Sequence, residues 1–284
     1  MRTLEAEPSF KAPPRACDAH FHVFGPPARY PHGADLRYAP PLAPLEDYLA
    51  LARRLGLERF VFVQPSAYGR DNSCMLDAMR ALPGCRGIVD VDEHIGDAEL
   101  ASLHAVGVRG VRINVSPVHP PEKGLADRLL PRIRRLQARC AELGWQLDFL
   151  LPGWLTEELF PELESLRIDF TLAHFGMFSS RAAGFQKLLN MLKSSKAWIK
   201  LTGVYRISTA PGFADVAPMA RALIDAAPGR LIWGSDYPHL SFADKVGSVE
   251  LFNLLGEWAT ADERRRILVD NPARLFGFRD EQTH

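Results

Sequence analysis

The chain is poor in cysteine and shows no bias of charge. Its 284 residues include four cysteines, Cys17, Cys74, Cys85 and Cys140, scattered without a CxxC pair and each set in or beside an apolar run. That pattern argues against a disulfide framework or a cysteine-held zinc ion and for buried structural thiols. Lysine and arginine total 34, aspartate and glutamate also 34, so no global field draws nucleic acid or an anionic membrane to the surface. No run approaches the roughly 18 apolar residues needed to cross a bilayer. Ser66 lacks the GxSxG elbow of a serine nucleophile, which disfavours a Ser-His-Asp triad. Low-complexity linkers and breaks in composition are missing too, so one domain over residues 15–284 is expected. The segment from Met1 to Pro14 has mixed charge and no signal-like apolar stretch. It reads as a loosely held leader, and a reducing cytoplasm is the expected location.

What is present is a repeating alternation of β-rich apolar runs and longer helical patterns. Hydrophobic residues make up 47% of the chain and charged residues 24%, a balance that supports a large core. The strand candidates are Ala16 to Phe24, Phe60 to Gln64, Gly87 to Val91, Gly110 to Val115, Trp145 to Leu151, Asp169 to His174, Trp198 to Thr202 and Leu231 to Gly234. Between them apolar residues recur at spacings of three and four, as in Leu45, Leu49, Ala52 and Leu55, or along Leu129 to Leu143. Arginines 132, 134, 135 and 139 in the latter stretch read as a solvated helix face. Pro83-Gly84, Leu143-Gly144 and Pro228-Gly229 stand where helices should end. Repeated βα units in this number predict a closed (β/α)8 barrel, the TIM barrel, with outer helices.

In such a barrel the side chains at the C-terminal strand ends converge on one mouth. The polar residues expected there are Asp18, His20 and His22, then Gln64 and Ser66, then Arg112 and Asn114. Later strands add His174, then Lys200, Thr202 and Arg206, and finally Asp236 and His239. His20 and His22 flank Phe21, so both rings point to one face of their strand. Such a pair suits two ligands on one metal ion or two donors to one oxyanion. Asp236, delivered at the end of the last strand, can take a proton from an attacking water. Arg112 and Arg206 are the guanidinium groups best placed to hold carboxylates. The loop after the second strand offers Ser66, Tyr68 and Asn72 as pocket candidates, with helix capping as the alternative for Asn72.

Three segments taken together resemble a known family. They are Cys17-Asp18-Ala19-His20-Phe21-His22-Val23-Phe24, Ala173-His174-Phe175-Gly176 and Trp233-Gly234-Ser235-Asp236-Tyr237-Pro238-His239. The set is similar to the amidohydrolase-2 branch of the amidohydrolase superfamily, and within it to the 2-pyrone-4,6-dicarboxylate lactonases and related TIM-barrel lactonases. The likeness runs from about Ala16 to Phe276-Gly277. It implies a hydrolase that opens a carboxylate-bearing lactone, with Asp236 as base and His20, His22 and His174 around the carbonyl. His239 joins the implied substrate-binding set.

Metal-dependent members of that family add a fifth-strand histidine or a fourth-strand lysine. Here the fifth strand reads Trp145-Gln146-Leu147-Asp148-Phe149-Leu150-Leu151 and the fourth Gly110-Val111-Arg112-Ile113-Asn114, so neither is present. The lactonases it resembles work without a metal, and no cofactor is expected. Asp148 is the residue that could upset this, although its in-strand position reads as a structural acceptor. The alternative is a zinc-dependent decarboxylase or amide hydrolase, with the ion on His20, His22 and Asp236. A non-catalytic ligand-binding barrel is a third reading. The expected partner is a small lactone or carboxylate, and a homo-oligomer is compatible with everything above. Few arginines surround Arg112, which points to a substrate with few carboxylates or to a neutral sugar lactone.

Overall fold

All eight apolar runs become parallel strands in a computed structural model that describes residues 7–34, 36, 38–179 and 182–279. They are β1 (Cys17–Phe21), β2 (Arg59–Val63), β3 (Arg86–Val89), β4 (Val108–Asn114), β5 (Gln146–Leu150), β6 (Phe170–Leu172), β7 (Ala197–Leu201) and β8 (Leu231–Trp233). Each pairs with the next in sequence order. The ring is drawn together between β8 and β1 by two backbone bonds just past the strand end. The Asp236 N–H donates to the His20 carbonyl at 2.8 Å, and the His22 N–H donates to the Tyr237 carbonyl at 2.9 Å. Only glycine fits at position 234, because a Cβ there would lie 2.6 Å from the His20 backbone nitrogen. The architecture is the expected TIM barrel.

The helices α1 (Leu45–Leu55), α2 (Ser73–Ala81), α3 (Asp97–Val106), α4 (Leu125–Leu143), α5 (Gly153–Ser165), α6 (Gly184–Ser194), α7 (Ala217–Ala226) and α8 (Ser248–Trp258) follow the strands in alternation. Helix α4 begins a turn earlier than Leu129 and carries Pro131 within it. It buries Ile133, Leu136 and Cys140 and ends at Gly144, whose left-handed backbone turns its N–H back to the last carbonyls. Its basic face is neutralised by neighbours: Arg132 pairs with Asp90 at 2.9 Å, Arg134 with Glu162 at 2.8 Å, and Arg139 with Asp97. None of the helices is long and apolar enough to cross a membrane, among the described residues. The four cysteines are buried thiols.

Of the leader expected to be loosely held, residues 1–6 lie outside the described residues, and the remainder is docked on the barrel. Phe10 stacks on Phe252 of α8 with ring centroids 4.2 Å apart, and the Arg264 guanidinium lies 4.5 Å from the same ring. The Ser9 N–H donates to Asn253 Oδ1 at 2.7 Å.

Inside the barrel an apolar layer underlies a polar one. Cys17, Ala19, Val61, Val63, Ile88, Trp198 and Ile232 pack together with Leu275 and Phe276. Above them Arg112 of β4, Asp148 of β5, Thr171 of β6 and Lys200 of β7 are buried within reach of one another. The β1–β2 register shifts between Asp18 and Phe21. Such an irregularity breaks the alternation of faces, and it separates Asp18 from the histidines. Asp18 accepts instead from the Tyr48 hydroxyl of α1 at 2.9 Å, from the His20 N–H and from the Ser235 N–H. The expected place for Asp18 at the mouth is therefore corrected: it staples β1 to the segment after β8.

Candidate active site

Three segments far apart in sequence, the ends of β1, β6 and β8, deliver His20, His22, His174 and Asp236 to one point. Asp236 follows β8 with φ +55, a left-handed conformation that is costly for a side chain with a Cβ. Its own N–H on the His20 carbonyl, and the His239 N–H on its carbonyl at 2.8 Å, hold it there. Oδ1 lies 3.5 Å from Nε2 of both His20 and His22, and Oδ2 lies 3.8 Å from His174 Nε2. The Tyr205 hydroxyl donates to Oδ2 at 2.5 Å, and Arg206 Nε sits 3.4 Å from the same oxygen. All four expected catalytic side chains are buried to within a few per cent.

Each histidine is held from behind. His22 Nδ1 meets the Val63 carbonyl at 2.8 Å. A carbonyl only accepts, so Nδ1 carries a proton, and in the neutral ring Nε2 is the nitrogen with the lone pair. His174 Nδ1 meets the Thr202 hydroxyl at 2.8 Å, and Gly203 leaves room for the ring, since a Cβ there would come within 2.5 Å of Nδ1. His20 Nδ1 faces Lys200 Nζ at 3.2 Å, while Lys200 Nζ lies 2.6 Å from Asp148 Oδ1. His20 Nε2 is buried with no hydrogen-bond partner.

Burial decides the protonation states first. It lowers the basicity of all three histidines, His174 to about 3, so they stand neutral at neutral pH. Burial alone would raise the Asp236 carboxyl, but its polar surroundings, His174 and Arg206 first, more than reverse this and hold it well below the usual carboxylate range. Asp148 behaves likewise: burial raises it, and Lys200 and Arg112 bring it down. The mouth thus holds one ionised carboxylate ringed by neutral imidazoles, a phenol and a guanidinium.

The expected binding residues divide. Arg112 is buried, donates from one terminal nitrogen to the Gln64 carbonyl at 2.9 Å and places Nε 3.7 Å from Asp148 Oδ2. Arg206 is committed to Asp236 rather than standing apart as a carboxylate clamp, and its guanidinium also lies 5.3 Å from the Tyr205 ring. His239 sits behind Tyr205, with Nε2 on Ser248 Oγ at 2.7 Å. Ser66 is exposed and bonds the Tyr38 hydroxyl at 3.2 Å, and Tyr38 feels the charges of Arg112 and Arg206. Tyr68 and Asn72 stand outside this group. The Tyr68 hydroxyl accepts from the Gly25 N–H at 3.2 Å, and Asn72 exchanges two bonds with the Asp90 backbone without capping α2 by its side chain. A groove of about 650 Å³ bounded by Trp154, Glu157, Phe178 and Ile207 meets the cluster only at Arg206.

Tyr205 and Tyr38 are not among the residues singled out from the sequence, and Lys200, expected at the mouth, is not read there as the partner of Asp148. Tyr205 neighbours the singled-out Arg206, which is the one signal that could have flagged it.

Fold and site together define a TIM-barrel hydrolase, and the chain belongs to the amidohydrolase family: the family pattern (Amidohydro_2, amidohydrolase) matches residues 17–278. A 4-sulfomuconolactone hydrolase of Rhizobium radiobacter is 40% identical over 287 residues, covering 97% of this chain and 94% of that protein. The 2-pyrone-4,6-dicarboxylate hydrolase of Comamonas testosteroni is 34% identical, covering 95% and 93%. An apo crystal structure from Agrobacterium tumefaciens superposes with a TM-score of 0.85 at 27% identity, covering 96% of this chain and 99% of that one.

Proposed function

We propose that this chain hydrolyses a lactone bearing an anionic group, by direct attack of water and without a metal ion. The observation that carries the reading is the buried Asp236 at the barrel mouth, its carboxylate oxygens 3.5 Å from Nε2 of His20 and His22 and 3.8 Å from Nε2 of His174. Asp236 takes a proton as the oxygen of water bonds to the lactone carbonyl carbon. The carbonyl becomes an oxyanion, stabilised by hydrogen bonds from the imidazole face of the site. As the ring C–O bond breaks, Asp236 returns the proton to the leaving oxygen, giving a hydroxy acid. The relatives named for a sulfonated and a dicarboxylated lactone support the substrate class. Arg112, the buried guanidinium that is not bound to Asp236, is the group that would meet the anion.

His20 Nε2, His22 Nε2 and Asp236 Oδ1 lie within 4.8 Å of one another, a span one ion could bridge. Metal-bound imidazoles, however, turn their other ring nitrogen as an N–H donor to an acceptor. His22 has such an acceptor in Val63, whereas His20 faces the ammonium of Lys200. Asp148, the carboxylate that could have completed a metal shell, is engaged by Lys200 and Thr171. The set does not fit a zinc ion shared by both histidines.

The test is a panel of sulfonated, carboxylated and neutral lactones, assayed after exhaustive chelation and again with added zinc. Full turnover of an anionic lactone under chelation supports the proposal. Loss of turnover that zinc restores would sink the metal-free mechanism, and turnover of neutral lactones alone would sink the substrate class.

A further inference from the structure

Lys200 has no role in the reaction just described, yet it is wholly buried at the centre of the barrel between an acid and a histidine. Its Nζ lies 2.6 Å from Asp148 Oδ1 and 3.2 Å from His20 Nδ1. We infer that the Lys200 and Asp148 pair is a tautomer lock on His20, which keeps the imidazole proton on Nε2 and so makes His20 a hydrogen-bond donor to the reacting carbonyl and a poor metal ligand.

The argument is one of donors and acceptors. An ammonium group has three donors and no acceptor. Facing it, His20 Nδ1 accepts, and the single proton of a neutral imidazole resides on Nε2. The opposite arrangement needs an uncharged lysine accepting from an Nδ1–H. That would leave Asp148, wholly buried, with Arg112 at 3.7 Å and the Thr171 hydroxyl but without its nearest cation. A buried carboxylate deprived of its partner is strongly disfavoured, so the ion pair keeps the lysine protonated.

The two histidines of the first strand therefore do opposite things. His22 offers a lone pair, fixed by the Val63 carbonyl, and His20 offers an N–H, fixed by Lys200. The unpartnered, buried His20 Nε2 is the donor awaiting an oxygen acceptor. Lys200 and Asp148 act only through His20 and are positioning residues. The catalytic consequence rests on the metal-free lactonase reading; the tautomer does not.

Long-range nitrogen–proton spectra of histidine-labelled wild-type enzyme read the tautomer directly, with the His20→Asn variant identifying the His20 signals. The expected result is a proton on Nε2 of His20 and on Nδ1 of His22. A proton on Nδ1 of His20 overturns the inference. The second measurement uses Lys200→Met combined with Asp148→Asn, which removes both charges and leaves neither alone. Its zinc affinity is expected to exceed that of wild type by at least about tenfold, the scale on which groups behind a ligand act. Its metal-free kcat is expected to fall at least about tenfold with KM little changed, since a bond made in the transition state is lost. Unchanged zinc affinity and unchanged kcat in a folded double variant also overturn it. Should the double variant not fold, the wild-type spectra decide. A chelated enzyme that opens no lactone but keeps His20 protonated on Nε2 would sink the lactonase reading alone; sustained turnover with the proton on Nδ1 would sink the lock alone.

Discussion

The Tyr205 hydroxyl donates to Oδ2 of Asp236, the oxygen that Arg206 also approaches, while Oδ1 is left to His20 and His22. One carboxylate oxygen is thus anchored, with His174 also beside it, and the other faces the two histidines of the first strand. Removing the phenol in Tyr205→Phe takes away a hydrogen bond to a charged acceptor, an interaction of about 1.5 to 3 kcal/mol. The carboxylate then becomes easier to protonate. The acidic limb of kcat/KM should move up by about one pH unit or more, since one unit corresponds to about 1.36 kcal/mol. A pH–rate profile checks this, and an unmoved limb would show that Asp236 is not the group whose ionisation turnover requires.

Arg112 should set affinity rather than turnover. Arg112→Lys keeps a positive charge beside Asp148 but gives up the planar fork that matches a carboxylate or sulfonate. KM for an anionic lactone is expected to rise about tenfold or more, with kcat within a few-fold of wild type and with weaker dependence of KM on salt. Steady-state kinetics at two ionic strengths are sufficient. Equal KM changes for neutral and anionic lactones would assign Arg112 to the scaffold.

Most of the fold was legible because each strand is a short apolar run closed off by turn residues, and the same pattern recurs around the ring. Strand ends were less so: the run from Asp169 to His174 forms a strand only over Phe170–Leu172, because His174 already has φ +52 and turns away. His20, His22, His174 and Asp236 are among the polar residues legible at strand ends, and it is the family resemblance that sets them apart from the others there. Asp18 could not, because a register shift in β1 is invisible to simple alternation. The pairing of Lys200 with Asp148 depends on how β5, β6 and β7 stack across the barrel interior, which no local pattern encodes. Tyr205 and Tyr38 come from irregular segments, where periodicity has nothing to say. Tyr68 and Asn72 lie in the loop where pocket residues were sought, but backbone groups in need of partners claimed them first.

Gly203 offers a test of how tightly the site is set. It has φ +58, and an added methyl would come within 2.5 Å of His174 Nδ1 and 2.8 Å of its Cγ. Gly203→Ala is therefore strained in its backbone and pushes the ring away from Thr202 and toward Asp236. A displacement of about 1 Å can cost about a hundredfold in rate, so kcat should fall on that order while substrate affinity changes little. Stopped-flow turnover with parallel titration of a non-hydrolysable anion separates the two. A variant with wild-type kcat would mean that His174 has no part in the chemistry.

Stability should fall on the acid side of neutrality, and the sign follows from the buried histidines. Burial lowers His174 to about 3 and His239 to about 4, and lowers His20 and His22 as well. In the unfolded chain each titrates near about 6.5. Below that pH the unfolded state takes up protons that the native state refuses, so stability is complete above about 6.5 and is lost as the pH drops toward the folded values. Asp18 works the other way. Burial raises it to about 6 against the hydrogen bonds it accepts, so between that pH and its ordinary value the native state takes up one proton first, which offsets roughly one histidine. The balance still favours unfolding by several kcal/mol between pH 7 and pH 5, a drop in Tm on the order of 10 °C. Calorimetry across that range measures it, with His239→Gln as the comparison: removing one refusing imidazole should make the slope shallower. A Tm that stays level from pH 7 to pH 5 would mean that these rings are protonated, or solvated, in the folded protein.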